Sequence, residues 1–259
     1  MSTFPQVKQF SAAEIIRMAA VAQAASGMCF ASAGETGYSS AELERMAGAV
    51  PRTVAAALTR KAFYFVPLVV PEPESEQNAE KVFVAERYDV ALGDRAVCHR
   101  NVSQAGSQCV FISTKLMEDR FSVAFEFFIN VAHAFVDTVG LSDEFNAVTW
   151  KQVEQGVRGE TSMDAYELRR AMFSGKAERE SVNMPVTDEK ARTAYLETTF
   201  SDAVAIYMLS LYLDVDYFDL REREYPLLTP AAMAERVQKV ASMFPANDSY
   251  EFSIHYRRK

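Results

Sequence analysis

Apolar and polar positions change period several times along the chain, and each change marks an element. Residues 11–25 place apolar side chains at helical intervals behind Ser11, with Glu14 three residues on, the spacing of a capping box. SSAELERMAG repeats the device with Ser39 and Glu42, and Pro51 suits the first turn of a third helix, PRTVAAALTRK. Residues 1–62 therefore read as a helical N-terminal region. At AFYFVPLVV an aromatic and β-branched run predicts a strand, its end demoted to an edge or a bulge by Pro67. KVFVAERYDV, AVCH and CVFIST predict further strands, separated by the polar loops PEPESEQNAE and NVSQAGSQ. Together these pieces predict a small sheet between residues 63 and 114.

The helical period returns from about Glu118 to Gly140, with Gly140 suited to the C-cap. It continues through WKQVEQGVRGETSMDAYELRRAMF with a break near Gly156 and Gly159, and KAERESVNMPVTDEK, interrupted by Pro185, has the texture of a linker. ARTAYLETTFSDAVAIYMLSLYL and TPAAMAERVQKVASMF predict two more helices on either side of the irregular DVDYFDLREREYPLLTP, and SYEFSIHYR alternates like a closing strand. The pattern predicts an α+β fold, mostly helical with a small mixed sheet, in which residues 63–259 follow the helical region as a second domain or as its continuation.

Within the greasy stretch FEFFINVAHAFVD stand Glu126, Asn130, His133 and Asp137. Steps of four, three and four residues at about 100° each return to one azimuth, so on a helix the four share a narrow stripe. Asp119, Ser122 and Glu144 fall near the same azimuth, which suits one wet seam on a mostly buried helix. Covered by a cleft, His133 with Glu126 or Asp137 would instead form a coupled acid-base pair.

The order CVFIST, then a long helix carrying a His, then a later helix with LETTFSDAVAIYML resembles the zincin metallopeptidases. In that family an edge strand precedes an active-site helix bearing His-Glu-x-x-His, and a later helix supplies the third zinc ligand. The resemblance covers roughly residues 108 to 213 and implies a zincin-like core. It makes His133 the second histidine, which places Ile129 at the first and Asn130 at the general base. Ile cannot ligate a metal, and Asn cannot take a proton as a carboxylate does. For the third ligand it offers Thr198 in one register, with Glu197 one residue off, or Asp202 in another. The implied protein is a non-catalytic, degenerate metallopeptidase whose cleft binds a peptide or protein segment and holds no cofactor. The enzymatic alternative is an active peptidase with zinc on unusual ligands such as Glu126, His133 and Asp202. An interaction or structural protein unrelated to peptidases is the third reading.

Other constellations add less. Cys98, His99 and Cys109 are good zinc-ligand types that a hairpin could gather, yet they lack Cys-x-x-Cys spacing and a fourth partner. Asp214, Asp216 and Asp219 lack the glycine and terminal Glu of an EF-hand loop. No G-x-S-x-G elbow or phosphate loop is present, and His255 alternates outward in the terminal strand.

Composition then removes whole classes of partner. At 259 residues and 49% hydrophobic the chain can bury a sizeable core. Its net charge of −8 carries no basic run to meet nucleic acid or an anionic membrane. Three cysteines are too few for a secreted disulfide scaffold. Glu14 and Arg17 interrupt the apolar N-terminal stretch that a signal peptide would need, and no uncharged apolar run is long enough to span a bilayer. The expected setting is the cytoplasm.

Overall fold

The computed structural model describes residues 7–72, 78–104, 106–117, 119–175, 184–220, 225–253 and 255. The chain forms two compact units, Met1–Phe127 and Phe128–Lys259. The class is α+β, with helices predominating over small mixed sheets.

In the first unit the elements run β1 (Gln9–Ser11), α1 (Ala12–Met18), β2 (Ala22–Gln23), β3 (Cys29–Ser32), α2 (Ser40–Gly48), α3 (Arg52–Ala57), β4 (Lys61–Val66), β5 (Leu68–Pro71), β6 (Val82–Ala85), α4 (Val90–Gly93), β7 (His99–Gln104) and β8 (Ser107–Ser113). Both predicted capping boxes form. Ser11 Oγ accepts from the Glu14 N–H while the Ser11 N–H donates to the Glu14 carboxylate at 2.7 Å, and Ser39 with Glu42 repeats the exchange at 2.8 Å. The returned hydrogen bonds hold both carboxyls below the usual carboxylate range.

Residues 1–62 are not all helical, contrary to expectation. α1 ends at Met18, and the chain turns at Gly27, whose φ is +98°, to pair β2 with β3. β3 lies inside a five-stranded sheet of order β2-β3-β4-β8-β7, parallel to β4, which is in turn parallel to β8; β7 closes the far edge antiparallel. The run AFYFVPLVV is two strands, because Pro67 ends β4 and the chain passes into a second sheet of order β1-β6-β5. The end of the run, β5, is an edge strand of that sheet, as expected, while β4 is central in the five-stranded one. Its Phe63 and Phe65 are fully buried with Phe127 against them, at ring-centroid distances of 5.2 and 5.4 Å. Each such side chain contributes about 1.5–3 kcal/mol by leaving water.

A long helix, α5 (Arg120–Val139), leads into the second unit, which continues with α6 (Asp143–Glu154), α7 (Met163–Met172), α8 (Glu189–Tyr212) and α9 (Pro230–Met243). Asp119 caps α5 through the Ser122 N–H at 2.7 Å; Glu118, the expected start, lies outside the described residues. α5 is long and apolar enough to cross a membrane by length and composition, and 56% of its most apolar window is buried inside the fold. Phe200 of α8 meets Phe145 at 4.9 Å, Phe244 at 6.4 Å and Phe135 at 6.5 Å, which ties α5, α6, α8 and the end of α9 into one aromatic core. The segment SYEFSIHYR forms no strand among its described residues. His255 makes one parallel bridge to Asp216, and alternation without a neighbouring strand has nothing to pair with. Parts of the predicted polar loop, linker and irregular segment, residues 73–77, 176–183 and 221–224, lie outside the described residues.

Candidate functional site

The four stripe residues share α5 but not one environment. Glu126 is half-buried, Asn130 is buried, and His133 and Asp137 are exposed, so the surroundings change along the helix rather than around it. Glu126 pairs with His99 of β7, Nδ1 to Oε1 at 2.5 Å. That pair gives Glu126 a partner on a different element from the helix that carries the stripe. On α8, Glu197 is exposed and Asp202 is buried, as residues separated by roughly 140° around one helix must be on a half-covered surface. Among the described residues no three His, Cys, Asp or Glu side chains gather to hold a metal ion, so His133, Glu197 and Asp202 are not brought together.

The Cys98, His99 and Cys109 arrangement is also not a site. In the β7–β8 hairpin Cys109 sits opposite Val102 while His99 sits opposite Ile112, which keeps the two ends apart along the strands. Cys109 is buried and Cys98 exposed, and both thiols are pushed up: Cys109 by burial, Cys98 by partial burial and the Glu126 carboxylate. Neither is an activated thiolate. Asp214 meets His255 Nε2 at 3.3 Å, and the side chain of Asp219 lies outside the described residues.

A buried charged cluster in the second unit escaped sequence reasoning. Glu160 follows Gly159, whose φ is +84° and where any Cβ would collide with the backbone of Leu227. That close approach lets the Glu160 N–H donate to Pro226 and its carbonyl accept from Leu228, so a loop is fixed like a strand pair. The Glu160 carboxylate then accepts from Arg169 Nη1 at 2.9 Å, from Arg236 Nη1 at 2.9 Å and from the Tyr195 hydroxyl at 2.7 Å. Glu160 and Arg236 are 0% exposed and Arg169 1%, so two guanidiniums lean on one carboxylate out of reach of water. Burial works against the charge of Arg236, but the Glu160 carboxylate holds it firmly protonated, and burial keeps the Tyr195 phenol neutral.

Arg236 Nε also donates to Gln152 Oε1 at 2.8 Å, and the Gln152 amide donates to the Ala232 carbonyl and the Glu235 carboxylate. α9 is thus clamped to α6, α7 and α8 by side chains on one of its faces. Asp202 borders the cluster and accepts from the Thr161 hydroxyl at 2.6 Å, while burial pushes its carboxyl up to about 6. The signal for this cluster was present in the sequence: Arg169 shares a helical face with Ala165 and Met172, and Arg236 with Met233 and Val240, all buried. An arginine on an apolar face requires a buried partner.

Beside the clamp the same two helices border a cavity of about 500 Å³. α8 contributes Ile206 and Ser210, and α9 contributes Pro230, Met233, Ala234 and Gln238. Val215, Tyr217, Leu220, Phe252 and Ser253 also line it. Tyr217 is held by its hydroxyl on the Leu228 carbonyl at 2.7 Å, and Phe252 by an edge-to-face contact with Tyr207 at 5.3 Å. Among the described residues no lining side chain is charged. Compared with known proteins, the chain matches no family model, no curated protein and no solved structure.

Proposed function

We propose that this protein binds rather than catalyses, and that its binding site is the cavity between α8, α9 and the C-terminal segment. The observation that carries the reading is the cavity itself. At about 500 Å³ it falls in the range of small-molecule sites, roughly 300–1,000 Å³, and it is mostly apolar with a few polar groups, as such sites are. A described lining without charge favours an uncharged guest, because a bare ion would lose its hydration with none of those side chains to replace it. The peptide or protein segment implied by the zincin resemblance fits as one inserted apolar side chain. A run of peptide backbone would bring more N–H and C=O groups than Ser210, Tyr217, Gln238 and Ser253 can serve. The setting proposed is the cytoplasm, with Cys29, Cys98 and Cys109 as free thiols.

A neutral apolar dye such as Nile red tests the cavity. Wild-type protein is expected to bind it, and Met233→Trp or Ala234→Phe, which fill the space, to weaken binding by at least about tenfold. Equal affinity in all three proteins would refute the site.

The metallopeptidase-like order of elements enters this proposal as a non-catalytic variant, since Ile129 and Asn130 hold the positions that need His and Glu. Purified protein is accordingly expected to carry less than stoichiometric zinc and to cleave no peptide. One zinc per chain by elemental analysis, lost on His133→Ala, would establish the peptidase reading instead.

A further inference from the structure

Ser210 lines the cavity from α8. It is buried, and its hydroxyl donates to the Tyr207 carbonyl one helical turn back at 2.6 Å. A hydroxyl has one hydrogen, so once that hydrogen is committed only the oxygen lone pairs remain to serve a neighbour. The hydroxyl hydrogen of Tyr217, another lining residue, is likewise committed to the Leu228 carbonyl. Among the described lining residues there is no Lys, Arg, His or Trp, and the Gln238 amide and the Ser253 hydroxyl are on exposed residues, the latter 3.3 Å from His255 Nε2.

We propose that the cavity selects uncharged guests carrying one O–H or N–H donor on an apolar, flat body, with Ser210 as the specificity-determining acceptor. The inference rests on the cavity being the binding site and adds the chemical class of its guest. An acceptor-only molecule, such as an ether or a ketone, would set its lone pairs against those of Ser210 and leave both unserved. A donor completes the serine oxygen. The aromatic wall formed by Phe252 on Tyr207 suits a ring edge or face. Indoles, phenols and simple aryl alcohols combine these properties.

The experiment compares two ring systems of nearly equal shape, indole and benzofuran, which differ by N–H against O. Affinities are measured by displacement of Nile red from the full-length protein. Wild type is expected to prefer indole by about threefold to tenfold. Ser210→Ala is expected to abolish the preference while leaving benzofuran binding and thermal stability nearly unchanged, and Ser210→Thr, which keeps a back-bonding hydroxyl, to restore it. Equal binding of the two compounds by wild type, or a preference that survives Ser210→Ala, would overturn the role of Ser210 while leaving the cavity as a site. Binding of neither compound, with Nile red also insensitive to Met233→Trp, would overturn the cavity reading and this inference with it.

Discussion

Glu160→Ala is expected to destabilise the protein by about 3–5 kcal/mol in urea denaturation, enough to leave a marginal chain largely unfolded. Arg169 and Arg236 would then be buried cations without their shared carboxylate, and their burial leaves water no route to replace it. The loss comes from what remains rather than from what is removed. The triple variant Glu160→Leu, Arg169→Met, Arg236→Met should therefore recover a large part of the stability, since buried ion clusters exchange for apolar groups of similar volume at little cost, less what the Tyr195 hydroxyl and the Gln152 side chain lose with their partners. Arg169 already has Nε and Nη2 without hydrogen-bond partners, which makes it the member with least to lose by the exchange. A loss below about 1 kcal/mol for Glu160→Ala would show that the guanidiniums find compensation elsewhere.

Asp202 gives the second large effect, and it depends on pH. Burial raises its carboxyl from 3.8 to about 6, so the folded state holds this proton more tightly than the unfolded chain does. Below the unfolded value both states are protonated and the group contributes nothing. As pH rises from about 4 to 6 the unfolded chain releases its proton first, and stability falls by about 3 kcal/mol before levelling off near pH 7. Glu14, Glu42, Asp119 and Glu144 are held low and act in the opposite sense, adding stability that is lost as pH falls. The measurement is therefore a difference: wild type and Asp202→Asn, each denatured at pH 4 and pH 7. Asp202→Asn is expected to gain relative to wild type toward neutral pH, and parallel curves would contradict the assignment.

Much of the helical framework was legible because its signals are local. Ser11 with Glu14 and Ser39 with Glu42 mark helix starts within four residues, and α8 and α9 lie where the apolar period placed them. The strands were read less well. CFAS is too short to show a period, and it becomes β3 only because β4 lies parallel beside it, a neighbour more than thirty residues on. SYEFSIHYR shows the converse, alternation with no sheet to join.

The charged cluster was missed for a similar reason. Glu160 stands in the unremarkable loop VRGET, and its partners arrive from α7, α8 and α9 with no spacing that links them. The polar stripe on α5 was legible as geometry, but the pairing of Glu126 with His99 was not, because His99 stands on a different element. The cavity has no motif at all, because its lining comes from α8, α9 and residues 215–220 and 252–253, which no spacing links.

The parallel core of the five-stranded sheet also bears on how quickly the first unit can assemble. Its central pairs join Phe30 to Phe63 and Phe63 to Val110, so two long loops must close before either pair gains its hydrogen bonds and buried rings. The β7–β8 hairpin, by contrast, closes over a loop of only a few residues. That order of closure makes the hairpin the natural template of the unit, with β3 and β4 pairing across the shorter of the two long loops and the joining of β4 to β8, across the longer, completing the sheet.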